Sequence, residues 1–294
     1  MNGARPPAQA GGSAAFRGQL ALPLTLLLIA PLVLLLAWAF FLPIGRLLLT
    51  SVTLPSPGLH NYQRLVSEPL FLQVMLRTIW IAVGCTVAAL LLGYPVAALM
   101  ARPGRVWPKV VAACVLVPMW TSALVRSYAW IALIGRRGIV NTALMDTGFI
   151  ERPLTMLYTS GAVLVGMTHI LLPFMVLPIF SALRSLPADL PNAAANLGAG
   201  RVRTFLTVVL PLSLPGVFAG CLLVFVMSLG FYITPALLGG PRTLMIATLI
   251  SQQATELLDW PFAGAISTVL LLLSLGTTVA FKRVLRLDRV VAHD

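Results

Sequence analysis

The sequence predicts an all-α polytopic membrane protein with six transmembrane helices, and three observations carry that prediction. Of the 294 residues, 59% are hydrophobic and only 10% are charged, against about half and about a quarter in soluble domains. The apolar residues gather in six charge-poor stretches, each long enough for the roughly 20 residues of a spanning helix. The charged residues fall in short groups between those stretches. Such a composition excludes a disordered chain, which combines low hydrophobicity with dense charge. The three cysteines, Cys85, Cys114 and Cys221, all lie in apolar runs and outline no disulfide scaffold. A net charge of +12, from 20 basic and 8 acidic residues, would suit a nucleic-acid binder. Its dispersal between apolar segments is instead that of topogenic charge, and no nucleic-acid partner is expected.

The first stretch, Gly18–Gly45, follows Arg5 and Arg17. It exceeds the roughly 7–15 residues of a signal-peptide core. It therefore predicts an uncleaved helix behind a flexible tail over residues 1–19, rich in Gly, Ala and Pro. The second stretch is Thr78–Ala101. The third, Val110–Gly135, is interrupted only by Arg126. The fourth, Pro153–Leu183, contains Pro173 and Pro178, which predict a bend before the following loop. The fifth, Thr204–Pro241, is too long for one crossing. Its span is expected from Val208 to Ser228, with Gly230, Pro235, Gly239, Gly240 and Pro241 breaking the backbone beyond it. Gly216 and Gly220 have the spacing of a close helix contact. The sixth stretch is Trp260–Phe281, and residues 284–294 form a second tail. The segments from Leu59 to Arg77 and from Leu244 to Leu258 repeat apolar residues at helical spacing, which predicts short helices on the outer surface.

Orientation follows from the lysines and arginines. With the N-terminus inside, 12 of the 20 fall inside, 7 outside, and Arg126 lies within a span. Acidic residues lean the other way, with 5 of the 8 outside. The excess of basic residues belongs on the cytoplasmic side, which predicts that both termini are cytoplasmic. Residues 43–77, 135–154 and 237–260 are then extracytoplasmic.

Several chemistries have no residues to perform them. A phosphate-binding loop needs a lysine behind a glycine-rich run, and the two lysines, Lys109 and Lys282, follow none. His60, His169 and His293 are scattered, so no metal site is expected. His169, the one histidine in a span, is expected to pack between helices bonded to a neighbour. No Asp or Glu lies in a span, although ion-driven carriers commonly use one there. The chain is expected to be no enzyme, to hold no cofactor, and to draw on an energy source outside itself.

The segment between the fourth and fifth spans is the most informative. It reads Pro187-Ala-Asp-Leu-Pro191-Asn192-Ala193-Ala194-Ala195-Asn196-Leu197-Gly198-Ala199-Gly200, then runs through Leu210-Pro211 and Leu214-Pro215-Gly216. Pro191 suits the first turn of a helix, and Gly198 suits its end or a close backbone approach. The pattern predicts a short helix across the cytoplasmic mouth, exposing small residues. The segment resembles the coupling-loop motif of ABC importer permeases, in which Glu-Ala-Ala is followed after three residues by Gly and, downstream, by Leu-Pro and Pro-Gly. Asn192 stands where that family usually has Glu. The resemblance covers nearly the whole chain after about Leu20 and is nearest the spermidine/putrescine branch. Pro118–Tyr128, Leu171–Phe174, Gly230–Gly240 and Asp259–Phe262 also carry it.

The resemblance implies the type I importer permease fold, in a bacterial inner membrane, with a coupling loop at about 184–204. It implies a second permease subunit, two ATPase subunits that hold ATP and Mg, and a periplasmic binding protein. The cargo it implies is a small organic solute, polyamine-like first, with organophosphonates and amino-acid-like compounds as alternatives. Pro191, Asn192, Ala193, Ala194, Leu197, Gly198 and Ala199 are the expected ATPase contact. Two readings stand for Arg126: it lines the translocation path, or it anchors to backbone carbonyls or the partner permease. Trp120, Tyr128, Trp130 and Tyr232 either wall the same path or pack at the membrane boundary or between helices. The competing function is a self-contained six-helix carrier or channel.

Overall fold

A computed structural model describes residues 22–291 except 55, 105 and 188. The expected tail at 1–19 lies outside them. The first helix, α1 (Leu22–Thr53), runs on past Arg46. Among the described residues, those up to Leu47 form one compact unit and those from Leu48 onward another. In the second unit α2 (His60–Ser67) and α3 (Pro69–Ala101) follow. Asn61 ties α2 to the end of α1 by donating to the carbonyls of Ser51 and Leu54, at 2.8 and 2.9 Å. The second span therefore begins well before Thr78, because Pro69 at its first turn and Phe71 and Val74 facing the core extend the helix through Arg77.

Helix α4 (Trp107–Leu116) ends in a 3₁₀ turn at Val117–Trp120, and α5 (Ala123–Ile134) starts afresh after Thr121 and Ser122. The pair bends by 105°. The third stretch is therefore a broken span rather than one rod. Pro118 spoils the end of α4, and the Ser122 hydroxyl caps α5 by accepting from the Leu124 N–H at 3.2 Å. With that pair, the five other long apolar helices bring the possible crossings to six.

Helices α6 (Ile139–Asp146) and α7 (Ser160–Arg184) come next, and α7 is helical through both Pro173 and Pro178. Then come α8 (Asp189–Asn196), α9 (Arg201–Thr204) and α10 (Leu210–Leu229). Gly230 closes α10, and the backbone breaks into a π turn at Pro235–Gly239 and a 3₁₀ turn at Pro241–Thr243, where the sequence places the breakers. The last helices are α11 (Ile246–Thr255) and α12 (Trp260–Val291). The backbone of 284–291, expected as a tail, continues α12.

The core sits along α7, whose Val163, Met167, Leu171, Met175, Val176 and Ile179 are fully enclosed. Helices α3 and α10 flank it. A Cβ at Gly216 would lie 2.6 Å from the Pro178 carbonyl oxygen, and one at Gly220 would lie 2.8 Å from the Met175 sulfur. Those glycines thus let α10 approach α7 at backbone distance, as their spacing predicts. A second cluster joins Leu65, Phe71, Ile246, Leu249, Phe262 and Ile266. It corrects the expectation for α11, which is docked rather than laid on a surface. Its Ile246 N–H donates to the Thr78 hydroxyl at 2.9 Å.

Candidate coupling helix and translocation face

Helix α8 projects from the junction of α7 and α10. Pro191 is its third residue, inside the first turn, where a missing N–H costs no intrahelical bond. Asp189 opens the helix with a negative charge, favourable at that end. The C-terminus is a Schellman motif: the Gly198 N–H donates to Ala195 O and the Ala199 N–H to Ala194 O, both at 3.0 Å. Gly198 adopts φ +84, a left-handed geometry that only glycine takes freely. A Cβ there would meet nothing within 4 Å of this chain. Gly198 is thus required within the chain by its backbone angle, not by crowding.

No residue of α8 is buried. Asn192, Ala193, Ala195, Asn196 and Gly198 are exposed, Pro191, Ala194 and Ala199 half-buried. Leu197 is 89% exposed. Thus a leucine among small residues stands clear of its own fold. Behind α8 the chain is braced. The Thr204 N–H donates to Gly200 O at 2.9 Å. A π turn at Phe205–Val209 follows, accounted for by Pro211, whose ring would crowd the Thr207 carbonyl of a regular helix. Phe205 meets the Tyr94 ring edge-on at 5.7 Å, and the Tyr94 hydroxyl bonds that of Ser213 at 2.9 Å. The segment following α8 is thus joined to both α3 and α10.

The second group surrounds the broken span. Trp120, at the end of the 3₁₀ turn, is 89% exposed, and Tyr128 and Tyr232 are also exposed. Arg126 lies in the first turn of α5, where the positive end of the helix dipole disfavours a cation. Its Nε and Nη1 are buried without a hydrogen-bond partner among the described residues. One turn on, the Trp130 indole N–H donates to His169 Nδ1 at 3.3 Å, with the rings edge to face. His169 thus has the bonded neighbour expected of it, but it is exposed rather than packed between helices.

The neighbouring Ser127 was not singled out by sequence reasoning, yet it bonds Thr234 hydroxyl to hydroxyl at 3.0 Å in a buried setting. That bond brings α5 beside the segment holding Tyr232. Gly166 seats the same segment on α7, since a Cβ there would lie 2.8 Å from both Thr234 and Leu238 side chains. The Tyr158 N–H donates to Leu238 O at 2.9 Å. The detectable signal was Ser122 after Pro118, a stop followed by a cap, which marks the break that sets these contacts.

Comparison with known proteins agrees with this architecture. Residues 93–286 match the family described as binding-protein-dependent transport system inner membrane component. The spermidine/putrescine transport system permease protein PotB of Escherichia coli K12 is 38% identical over 72% of the chain and 77% of its own length. The inner membrane ABC transporter permease protein YdcU of the same organism is 36% identical over 76% and 74%. Among solved structures, a bacterial alginate ABC transporter in complex with an alginate pentasaccharide-bound periplasmic protein aligns with TM-score 0.71 and 18% identity, covering 88% of this chain and 92% of that one.

Proposed function

Since this chain belongs to the binding-protein-dependent inner-membrane permeases of ABC importers, we propose that it forms half of a translocation pathway that a separate ATPase drives through α8. The observation that supports this most is α8 itself: an exposed helix, closed by a Schellman turn and carrying an unsheltered leucine. Burying such a leucine against a partner is worth about 1.5–3 kcal/mol. Its small neighbours admit a partner backbone closely. In this reading Pro191, Asn192, Ala193, Ala194, Leu197, Gly198 and Ala199 form the docking face. Asn192 keeps a polar group where relatives of the motif carry a carboxylate.

Two ATPase copies hold the ATP and Mg, a second permease completes the path, and a periplasmic binding protein delivers the cargo. In this reading both termini and α8 face the cytoplasm, which the excess of basic residues on that side supports. Trp120, Arg126, Tyr128 and Tyr232 line the path beside the broken span; irregular backbone at membrane depth is tolerated only within protein or along a water-filled cavity, which suits a path there. A polyamine-like cargo is supported by the relatives' names and by exposed aromatic faces, each able to attract an ammonium by about 0.5–2 kcal/mol. Arg126 takes its missing acceptors from outside this chain. The test is affinity purification of the tagged chain from its native membrane. An ATPase and a second permease are expected to co-purify, and transport by the lone chain in liposomes would contradict the reading.

A further inference from the structure

At the end of the bundle where α3 finishes, α4 begins and α7 finishes, a cavity of about 670 Å³ is lined by Arg102, Lys109, Arg184 and Phe180 among others. A second cavity of about 350 Å³ adjoins it, sharing Arg102, Pro103, Gly104 and Pro108, and continues along Leu99, Val106, Trp107 and Val111. We infer that the two together hold one anionic phospholipid, with the phosphate among Arg102, Lys109 and Arg184 and an acyl chain along the apolar cavity.

Four observations converge on that occupant. The three cations form no ion pair among the described residues, where both salt bridges belong to Arg64. Among the described residues, no acidic one lines either cavity. Helix α4 opens without a side-chain cap, so first-turn N–H groups add to the positive field. The adjoining cavity is lined by the apolar Leu99, Val106 and Val111 and by Trp107, which is 79% exposed. Tryptophan favours the bilayer boundary, where its ring meets both chain and headgroup. All three cations sit at the ends of spanning helices, which is where a headgroup lies. A free phosphate would use only the first cavity. An acidic protein segment would have no use for a groove that continues among Leu99 and Val111. The site requires only that α3, α4 and α7 cross a membrane and is independent of the role given to α8.

The test uses the full chain with whatever subunits co-purify, delipidated in neutral detergent and titrated with phosphatidylglycerol, phosphatidylcholine or inorganic phosphate. Native mass spectrometry counts the lipid retained. Wild-type protein is expected to hold phosphatidylglycerol in preference to phosphatidylcholine. Each neutralised cation should weaken that preference about fivefold, and Arg102→Gln/Lys109→Gln/Arg184→Gln together should weaken it roughly a hundredfold. Arg102→Lys/Arg184→Lys preserves the charge and should keep the preference, which separates lost recognition from lost folding. Trp107→Ala should reduce retention of phosphatidylglycerol without abolishing it. Equal retention by the triple Gln variant would overturn the inference. So would displacement of the lipid by inorganic phosphate at matching concentration, which would make the site one for free anions. Loss of a co-purifying subunit with lipid retention unchanged would also overturn it, by assigning the face to a protein.

Discussion

Arg126 and Gly198 are each held by a constraint that a single substitution isolates. A cation placed mid-span costs about 2.5–3.5 kcal/mol on insertion scales, and here the α5 dipole adds to the cost while two of its nitrogens lack acceptors among the described residues. Arg126→Ala should relieve that cost, so the complex should assemble in normal amount while uptake falls about tenfold, the loss of roughly 1.4 kcal/mol of pathway interaction. Arg126→Lys should restore little, because an ammonium cannot reproduce the planar five-donor head. Uptake assays beside quantified assembly check both, and normal uptake with Ala would return Arg126 to a purely structural role. For Gly198, φ +84 with open space around it makes Gly198→Ala a test of backbone alone. It should cost about 1–2 kcal/mol locally, read as faster hydrogen exchange in α8 with the rest of the fold unchanged.

At the scale of elements, the α7–α10 contact is the frame on which α8 is carried. Gly216→Val would place a branched side chain where even a Cβ lies 2.6 Å from the Pro178 carbonyl oxygen, and a main-chain atom cannot swing aside. About 1–3 kcal/mol of overpacking is expected, seen as a lower thermal-unfolding midpoint in detergent. Gly276→Val, with nothing within 4 Å of its Cβ position, should leave that midpoint unmoved. These helices were legible in the sequence because a spanning helix must be about 20 residues of apolar chain, and the breakers after Leu229 stand where the backbone breaks. The cap at Gly198 was legible too, since glycine there has few alternatives. Three features were not. The 105° bend at Thr121–Ser122 is only hinted at by Pro118 and Ser122, because the stretch around them reads as one apolar span. The burial of α11 depends partly on α3, far away in sequence. The Ser127–Thr234 bond joins residues that no local pattern connects.

For the whole molecule, the claims concern orientation and coupling. Cysteine labelling in intact cells, on a cysteine-free background, should mark Ser56→Cys with an impermeant reagent and spare Ser185→Cys, since the segment before α8 is placed inside; the reverse pattern would invert the topology. The central claim is that α8 transmits the ATPase's work, and Leu197 is the residue to disturb because it is 89% exposed and its replacement leaves the Schellman bonds in place. The most direct measurement is ATP hydrolysis by the reconstituted importer carrying Leu197→Asp, with and without loaded binding protein. An unpaired carboxylate pressed into an apolar contact should lower binding-protein-stimulated hydrolysis about tenfold or more, a penalty of at least roughly 1.4 kcal/mol, while the second permease remains bound. Full stimulation in a stably assembled Leu197→Asp complex would contradict the account, because the exposed face of α8 could not then be the surface on which the ATPase acts.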